Sequence, residues 1–537
     1  MPSTDRPDAV FIGAGINALG AAFLLGRAGW RVLVVERNDA PGGAIRTMEL
    51  TLPGFRHDIG AMNLNLFASS PFLEQHRGLL AEKGFELVTA DHSAGSVFAG
   101  DRFLGITTDL AANLRSIARF SKTDVDAWKA WTADFEACAP YLFRIFGSPA
   151  PAPEPLGYAF GDDTDVPAPV QPVLRGLLLD SLRANLTIRF ESEEVRALVA
   201  AWGLHPDYAP DSAGGCWYPF LETNVDQRRG IAIARGGSGR LIHALVEQIR
   251  EDGGEVRTGT TVEKILIENA RAVGIRVAGD ERIGAARAVI AGVTPTALLA
   301  LTNGQLPGPE AERARHWRYG PGTFTIHLAL SELPAWRAEG ARRSFYVHIA
   351  PSLDDLARVY RESLAGLLSA RPFCVVAQPT IYDPSRAPRG KHVLWIMVRC
   401  VPAANEGDTA GRIAGRAWTP EVKDAFADRV IDLIDDYAPG LRDRILARAL
   451  HAPTDLEQLN PNLIGGDINA GSCHLDQFYG QRPFPGYARH RTPIDGLYMC
   501  GASTWPGPGA SPGSGVLLAQ RLLDDSVPHD PDAGRRA

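Results

Sequence analysis

Residues 11–20 read FIGAGINALG, with glycines at 13 and 15 and an alanine at 18, the spacing of a turn that holds a dinucleotide pyrophosphate. Each position has a separate physical task. Gly13 permits a tight turn, Gly15 lets the main chain approach the phosphates, and the third position needs only a small residue so that a helix can pack on a strand. Ala18 satisfies that last demand. Such a turn also needs an acid about twenty residues on, at the end of the next strand, to accept from a ribose hydroxyl; Glu36 stands there. Its neighbour Arg37 suggests a 2′-phosphate, but the Glu36 carboxylate would repel that charge. Pro41-Gly42-Gly43, with Arg46 and Thr47 just beyond, offers a second close backbone approach.

The elements around these residues suit the task. Ala9-Val10-Phe11-Ile12 has strand composition, and residues 21–28 keep helical spacing until Gly29. RVLVVE then reads as a buried strand ending at Glu36. A similar texture returns near 231, where RGGSGRL opens an amphipathic helix stopped by Gly253-Gly254, and ARAVIAGVTP supplies a further buried strand. At the far end GLYMCG runs into the Gly/Pro loop ASTWPGPGASPGSGV and a helix whose positive end can face an electron-rich ring. Between these segments, residues 106–229 read as mostly helical around a proline-rich surface excursion at 147–163. Residues 301–450 mix strands (GTFTIHLAL, FCVVAQPTIYD, HVLWIMVRCV) with a helix at about 420–437.

Other groups could do chemistry in isolation. GASPG at 509–513 matches the G-x-S-x-G of a hydrolase nucleophile, but Pro506 and Pro508 interrupt the strand that must precede Ser511. The acids and histidine that follow it (Asp524, Asp525, His529) lie in a tail. His474, Asp476 and Arg482, and His57 with Asp58, are each capable of acid–base or substrate contacts and equally of structural hydrogen bonding. Gly60, Ala61 and Met62 read as a backbone contact to cofactor. Trp217, Tyr218, Phe220, Tyr382, Trp395, Phe478 and Tyr479 divide, about half and half, between cavity wall and core.

Composition narrows the class. The chain has 537 residues, 45% hydrophobic and 22% charged, enough for two or three compact units. A net charge of −7 gives no basic footprint for nucleic acid. No apolar run approaches the roughly 20 residues that cross a bilayer, and no basic leader with a cleavage site precedes the first strand. The expected location is the cytoplasm, with peripheral membrane contact compatible. Six cysteines stand singly, without a CxxC pair, and no HExxH or Cys-His cluster suggests a metal.

On these motifs the chain resembles the FAD-dependent phytoene desaturase family over nearly its full length, nearest the branch of pyridine nucleotide-disulphide oxidoreductase domain proteins. The segments that carry the resemblance are GAGINALGAA through APGGAIRT, ESEEVRALVAAWGLHPDYAPDSAGG, RGGSGRL, GGDINAGSCHLDQFYGQRPFPGY and GLYMCGASTWPGPG. The resemblance implies an α/β fold: a Rossmann-type FAD-binding domain of the glutathione reductase or amine oxidase kind, with an inserted α+β substrate domain. The FAD domain would comprise 1–105, 230–300 and 451–537, and the substrate or cap domain 106–229 and 301–450. Gly13, Gly15 and Ala18 would face the pyrophosphate, with Glu36 and Arg37 at the adenosine ribose. Gly42 and Gly43 would line the phosphate path, and Val262 would meet the adenine. Gly501, Ala502 and the turn Ser511-Pro512-Gly513 would approach the flavin. Trp505 stands where relatives often carry histidine, and with His474 is expected to face the substrate.

The implied activity is dehydrogenation of an apolar, unsaturated or isoprenoid-like molecule by hydride transfer to FAD, with a quinone or oxygen as acceptor. A redox-neutral double-bond isomerase and an amine oxidase on the same fold are the alternatives. The catalytic side chains are not identified by the sequence.

Overall fold

The structure, a computed structural model, describes residues 6–149, 157 and 165–525. The proline-rich stretch at 147–163 and the tail after Asp525 therefore fall largely outside the described residues.

Short strands, most of them runs of β-branched and apolar residues, build a five-stranded parallel sheet in the order Leu497–Met499, Ala288–Ala291, Ala9–Ile12, Val32–Val35 and Glu255–Arg257. Val10 lies opposite both Val289 and Leu33, so the central strand is paired with segments from widely separated parts of the chain. Its residues alternate between two covers. Ala9 and Phe11 pack with the helices Ile16–Arg27, Gly239–Glu251 and Gly513–Asp524, whereas Val10 and Ile12 pack on the antiparallel sheet Val262–Glu268, Arg271–Val277 and Arg282–Gly284. Burial on both faces explains why the three inner strands are uniformly apolar rather than alternating.

The first and last helices cross at near-backbone contact. A Cβ at Gly20 would collide with Pro512, and one at Gly515 with the carbonyl oxygen of Asn17. Glycine at these two points lets the C-terminal helix lie against the helix that follows the first strand.

A second, seven-stranded sheet runs Ile445–His451, Gly322–Leu330, His392–Val401, Cys374–Ala377, Tyr346–Ile349, His92–Phe98 and Arg102–Thr107. It is antiparallel except where Tyr346–Ile349 runs parallel to His92–Phe98. Phe324, Ile326 and Leu328 pack with the helix Pro420–Asp435 on one side of this sheet. Intervening Thr323 and Thr325 face a cavity on the other. The hairpin 92–107, whose residues up to 105 the family resemblance groups with the FAD-binding segments, belongs to this sheet. The helices Thr123–Gly147, Gln171–Leu179, Leu182–Arg189, Glu193–Ala200 and Trp217–Arg229 follow. Among the described residues, no helix is long and apolar enough to cross a membrane.

Replacing Gly515 by alanine should cost about 1–3 kcal/mol, the usual penalty of forcing a methyl group into packed structure. Thermal unfolding of the purified variant measures it.

Candidate active site and cofactor cradle

The strand Ala9–Ile12 ends in Gly13, whose φ of +91° is open to glycine but strained for other residues. Gly13 N–H donates to Val35 O at 2.7 Å, and Gly42 N–H donates to Ala14 O at 2.9 Å. The Pro-Gly-Gly turn is thereby laid on the first turn, and a Cβ on Gly43 would come within 3.3 Å of the Gly15 Cα. Gly15 itself adopts an ordinary extended conformation, φ −71°, yet a Cβ there would meet nothing within 4 Å. It borders open space. The helix Ile16–Arg27 begins there with no side-chain cap and no acid in its first turn, leaving its first N–H groups for an anion.

Glu36 is buried beside this turn. Its Oε2 accepts from Ala14 N–H at 2.8 Å and its Oε1 from Asn38 N–H at 2.9 Å. The carboxylate thus helps hold the glycine turn in shape while lining the cavity. Glu36 O also accepts from Thr260 N–H, which brings Val262 to the same end.

The cavity measures about 570 Å³, within the roughly 300–1,000 Å³ usual for small-molecule sites. Of the residues expected from the sequence to meet cofactor, Gly13, Gly15, Ala18, Glu36, Arg37, Gly42, Gly43, Gly60, Ala61, Met62, Val262, Gly501 and Ala502 line it. Ser511, Pro512 and Gly513 do not. Pro512 is packed over Gly20 of the first helix, and Pro508, Gly509 and Ala510 face the cavity in its place. Gly501, at φ +126°, has open space where a Cβ would stand. Cys500 lies beside it, buried, its thiol pushed up to about 12 by burial.

The two residues expected to face substrate are placed elsewhere. Trp505 is fully buried and does not line the cavity. Its ring stacks on Phe146 with centroids 5.6 Å apart and its Nε1 donates to Ser148 O at 2.8 Å, while Phe478 forms the wall in front of it. His474 also lies outside the lining, its Nε2 2.8 Å from Asp207 O, and Asp476 pairs with Arg318 at the surface. Arg482 is structural. Its buried guanidinium donates to the carbonyls of Asn469, Gly471, Ser472 and Ala502, clamping the 469–473 loop to the 502 end of the cavity.

His57 and Asp58 are likewise structural. Burial lowers the His57 pKa to about 4, and its Nε2 lies 2.8 Å from Thr51 Oγ1. Asp58 Oδ1 accepts from Thr47 Oγ1, Ser238 N–H and Ser238 Oγ, and its Oδ2 accepts from Arg386 Nη1 at 2.5 Å. Arg386 also donates to Asp383 and to Ala234 O, and Asp383 accepts from Gly236 N–H at 2.6 Å. The RGGSGRL turn is fixed through this network; none of these residues lines the cavity.

Of the candidate aromatics, Trp217, Tyr218, Trp395 and Phe478 line the cavity, whereas Phe220, Tyr382 and Tyr479 do not. Trp202, Tyr346, Met397 and Glu222 also line it and were not singled out from the sequence. Glu222 had one readable signal: an acid embedded in WYPFLETN, four residues from Tyr218 and from Asp226.

Residues 19–507 match the family of flavin-containing amine oxidoreductases, and the chain belongs to that family. It is 28% identical to pyridine nucleotide-disulfide oxidoreductase domain-containing protein 2 of Rattus norvegicus, over 96% of this chain and 93% of the relative. It is 26% identical to a limonene dehydrogenase chain of Castellaniella defragrans (98% and 96% covered) and 25% identical to the neurosporene-forming phytoene desaturase of Rhodobacter capsulatus (98% and 95%). In fold it resembles putrescine oxidase, with a TM-score of 0.62 at 16% identity (97% and 98% covered), and an oxidoreductase from Methanosarcina mazei, with a TM-score of 0.59 at 19% identity (96% and 99%). The chain is therefore a flavin-dependent oxidoreductase whose cofactor is FAD. The open Gly15 cradle, the uncapped helix start and the cavity-lining Glu36 fit a dinucleotide of that kind.

Gly15→Val should separate folding from cofactor binding. The added side chain enters open space at an allowed φ, so far-UV circular dichroism and apoprotein stability should match wild type. FAD content after purification should fall to near zero.

Proposed function

We propose that the chain dehydrogenates an apolar, unsaturated small molecule between adjacent carbons, with FAD held by the residues of the cradle. One observation carries this. A single cavity joins the glycine cradle to a wall that includes Trp202, Trp217, Tyr346, Trp395, Met397 and Phe478. Such a wall binds by contact area and excludes water, and it suits a molecule without many polar groups. The names of two full-length relatives, a limonene dehydrogenase chain and a phytoene desaturase, support the same substrate class.

The pyrophosphate would lie on Gly13, Gly15, Gly42 and Gly43, the ribose at Glu36, the adenine at Val262 and the ring end near Gly501 and Ala502. FAD, when bound, supplies a two-electron hydride acceptor. The chain's own residues orient the substrate, close the site to water and hold the proton that leaves with the hydride. The sequence carries one dinucleotide turn, filled in this reading by FAD, so a nicotinamide cofactor has no cradle of its own. A quinone or oxygen as final acceptor, and peripheral contact with a membrane that dissolves the substrate, belong to the same proposal.

Anaerobic mixing tests it. An unsaturated apolar donor such as a terpene or carotenoid precursor should bleach the oxidised flavin, and NADPH should do so slowly or not at all. Rapid stoichiometric bleaching by NADPH, or by simple amines with no response to apolar donors, would overturn it.

A further inference from the structure

Removing two hydrogens from adjacent carbons releases a hydride equivalent and a proton, and the proton needs an acceptor in a cavity that is otherwise mostly apolar. The helix Trp217–Arg229 brings Tyr218, Glu222 and Asp226 onto one face by their four-residue spacing. Glu222 is 3% exposed and lines the cavity; Asp226, one turn further on, is fully buried behind it.

Their surroundings divide the pair. Tyr218 Oη donates to Glu222 Oε1 at 2.9 Å, Asn65 Nδ2 approaches Oε2 at 3.5 Å, and the Asn63 side chain also bonds this carboxyl. These contacts favour the ionised form. Among the described residues Asp226 has a single side-chain donor, Asn65 Nδ2 at 2.9 Å, and its Oδ2 has no partner. Its pKa is driven far above the usual carboxylate range, first by burial and then by the neighbouring Glu222 charge. Burial raises the Glu222 pKa as well, while its three donors oppose the rise.

Among the described residues the other packed elements add no compensating cation. Ser93 Oγ donates to the main-chain oxygens of Ala90 and Asp226 and to neither carboxyl, and Tyr346, from its strand, has its own pKa raised by burial and by both acids. Asp58 and Arg386 act on Tyr346 with opposite signs. Among the described residues neither carboxyl has an ion-pair partner, so the two cannot both be charged at low cost. Two acids whose environments drive their pKa values apart are the arrangement that separates a base from a neutral partner.

We propose that Glu222 is the catalytic base that takes the proton from the substrate carbon, with Asp226 held neutral behind it. This rests on the dehydrogenation proposed above. One C–H bond gives up its hydrogen and electron pair, which reduce the FAD by two electrons. The adjacent C–H bond breaks with its proton going to a Glu222 carboxylate oxygen, and the electron pair left behind forms the C=C bond. Burial suits the group to this task, because a raised pKa makes the ionised form a stronger base near neutral pH.

Two measurements on the FAD-loaded protein decide it. Infrared difference spectra of the oxidised enzyme at pH 7, taken without substrate, should show a protonated-carboxyl C=O band that Asp226→Asn removes and Glu222→Gln leaves in place. Loss of that band in Glu222→Gln instead would overturn the assignment. Flavin bleaching by an apolar donor should rise with pH through the Glu222 ionisation in wild type. In Glu222→Gln it should be pH-independent and slower by about 10²–10⁴-fold, with FAD content retained. Glu222→Asp should recover part of the rate and a displaced acid limb. Bleaching of Glu222→Gln at the wild-type rate and pH profile would refute the proposal. If no apolar donor bleaches wild type, the dehydrogenase reading fails, and the infrared arm still decides which acid holds the proton.

Discussion

Arg386 has no contact with water, and its charge is held between Asp58 and Asp383. Three separated segments of the chain are registered through this one guanidinium. Asp58 binds Thr47 and the start of the helix Gly239–Glu251, Arg386 binds the end of the strand Ile231–Ala234, and Asp383 binds the turn between them. Residues that follow the strand Cys374–Ala377 of the seven-stranded sheet thereby fix the loop that opens the helix Gly239–Glu251. A buried charge must be paired and hydrogen-bonded to survive, and deleting one partner of such a pair typically costs about 3–5 kcal/mol. The constraint works through geometry more than through net stability. With the guanidinium filled by carboxylates and a carbonyl, the three segments have one arrangement that satisfies every charge.

Around that fixed point, glycine sets the distances. Gly13, Gly15, Gly42 and Gly43 bring two backbone turns together and leave open space beside Gly15, while Gly20 and Gly515 let the first and last helices touch. The glycine-turn end of the cavity is therefore a surface of main chain, with a carboxylate at one side and an uncapped helix start at the other. The opposite end is built by side chains of the seven-stranded sheet and the helix Trp217–Arg229, together with Trp202 and Phe478. Chemistry at such a boundary joins a polar, charge-tolerant half to an apolar, water-excluding half. Glu222 is an acid that the apolar half carries in its wall.

What could be read from the sequence was whatever local rules determine. The glycine turn, its flanking strands and helix, Glu36 and the C-terminal strand-loop-helix follow from spacing within a few turns of chain, and the structure places most of these residues on one cavity. The misreadings involve partners far away. Trp505 is adjacent in sequence to the 501–502 wall, but its indole is taken up by Phe146 and Ser148, more than three hundred residues earlier. Pro512 leaves the wall because Gly20 accepts it. The hairpin 92–107 joins the large sheet through Tyr346–Ile349, a pairing that periodicity cannot announce. Glu222 and Asp226 gain their meaning from Asn65, which no pattern on their own helix reveals.

The central claim is that FAD is held by three separated stretches of one chain acting together. Hydrogen–deuterium exchange on apoprotein and FAD-reconstituted protein measures this directly. Protection should appear together in the backbone amides of 13–18 and 36–46, of 260–262, and of 500–510. Protection confined to the first of these stretches, with the C-terminal loop exchanging at its apoprotein rate, would contradict the account.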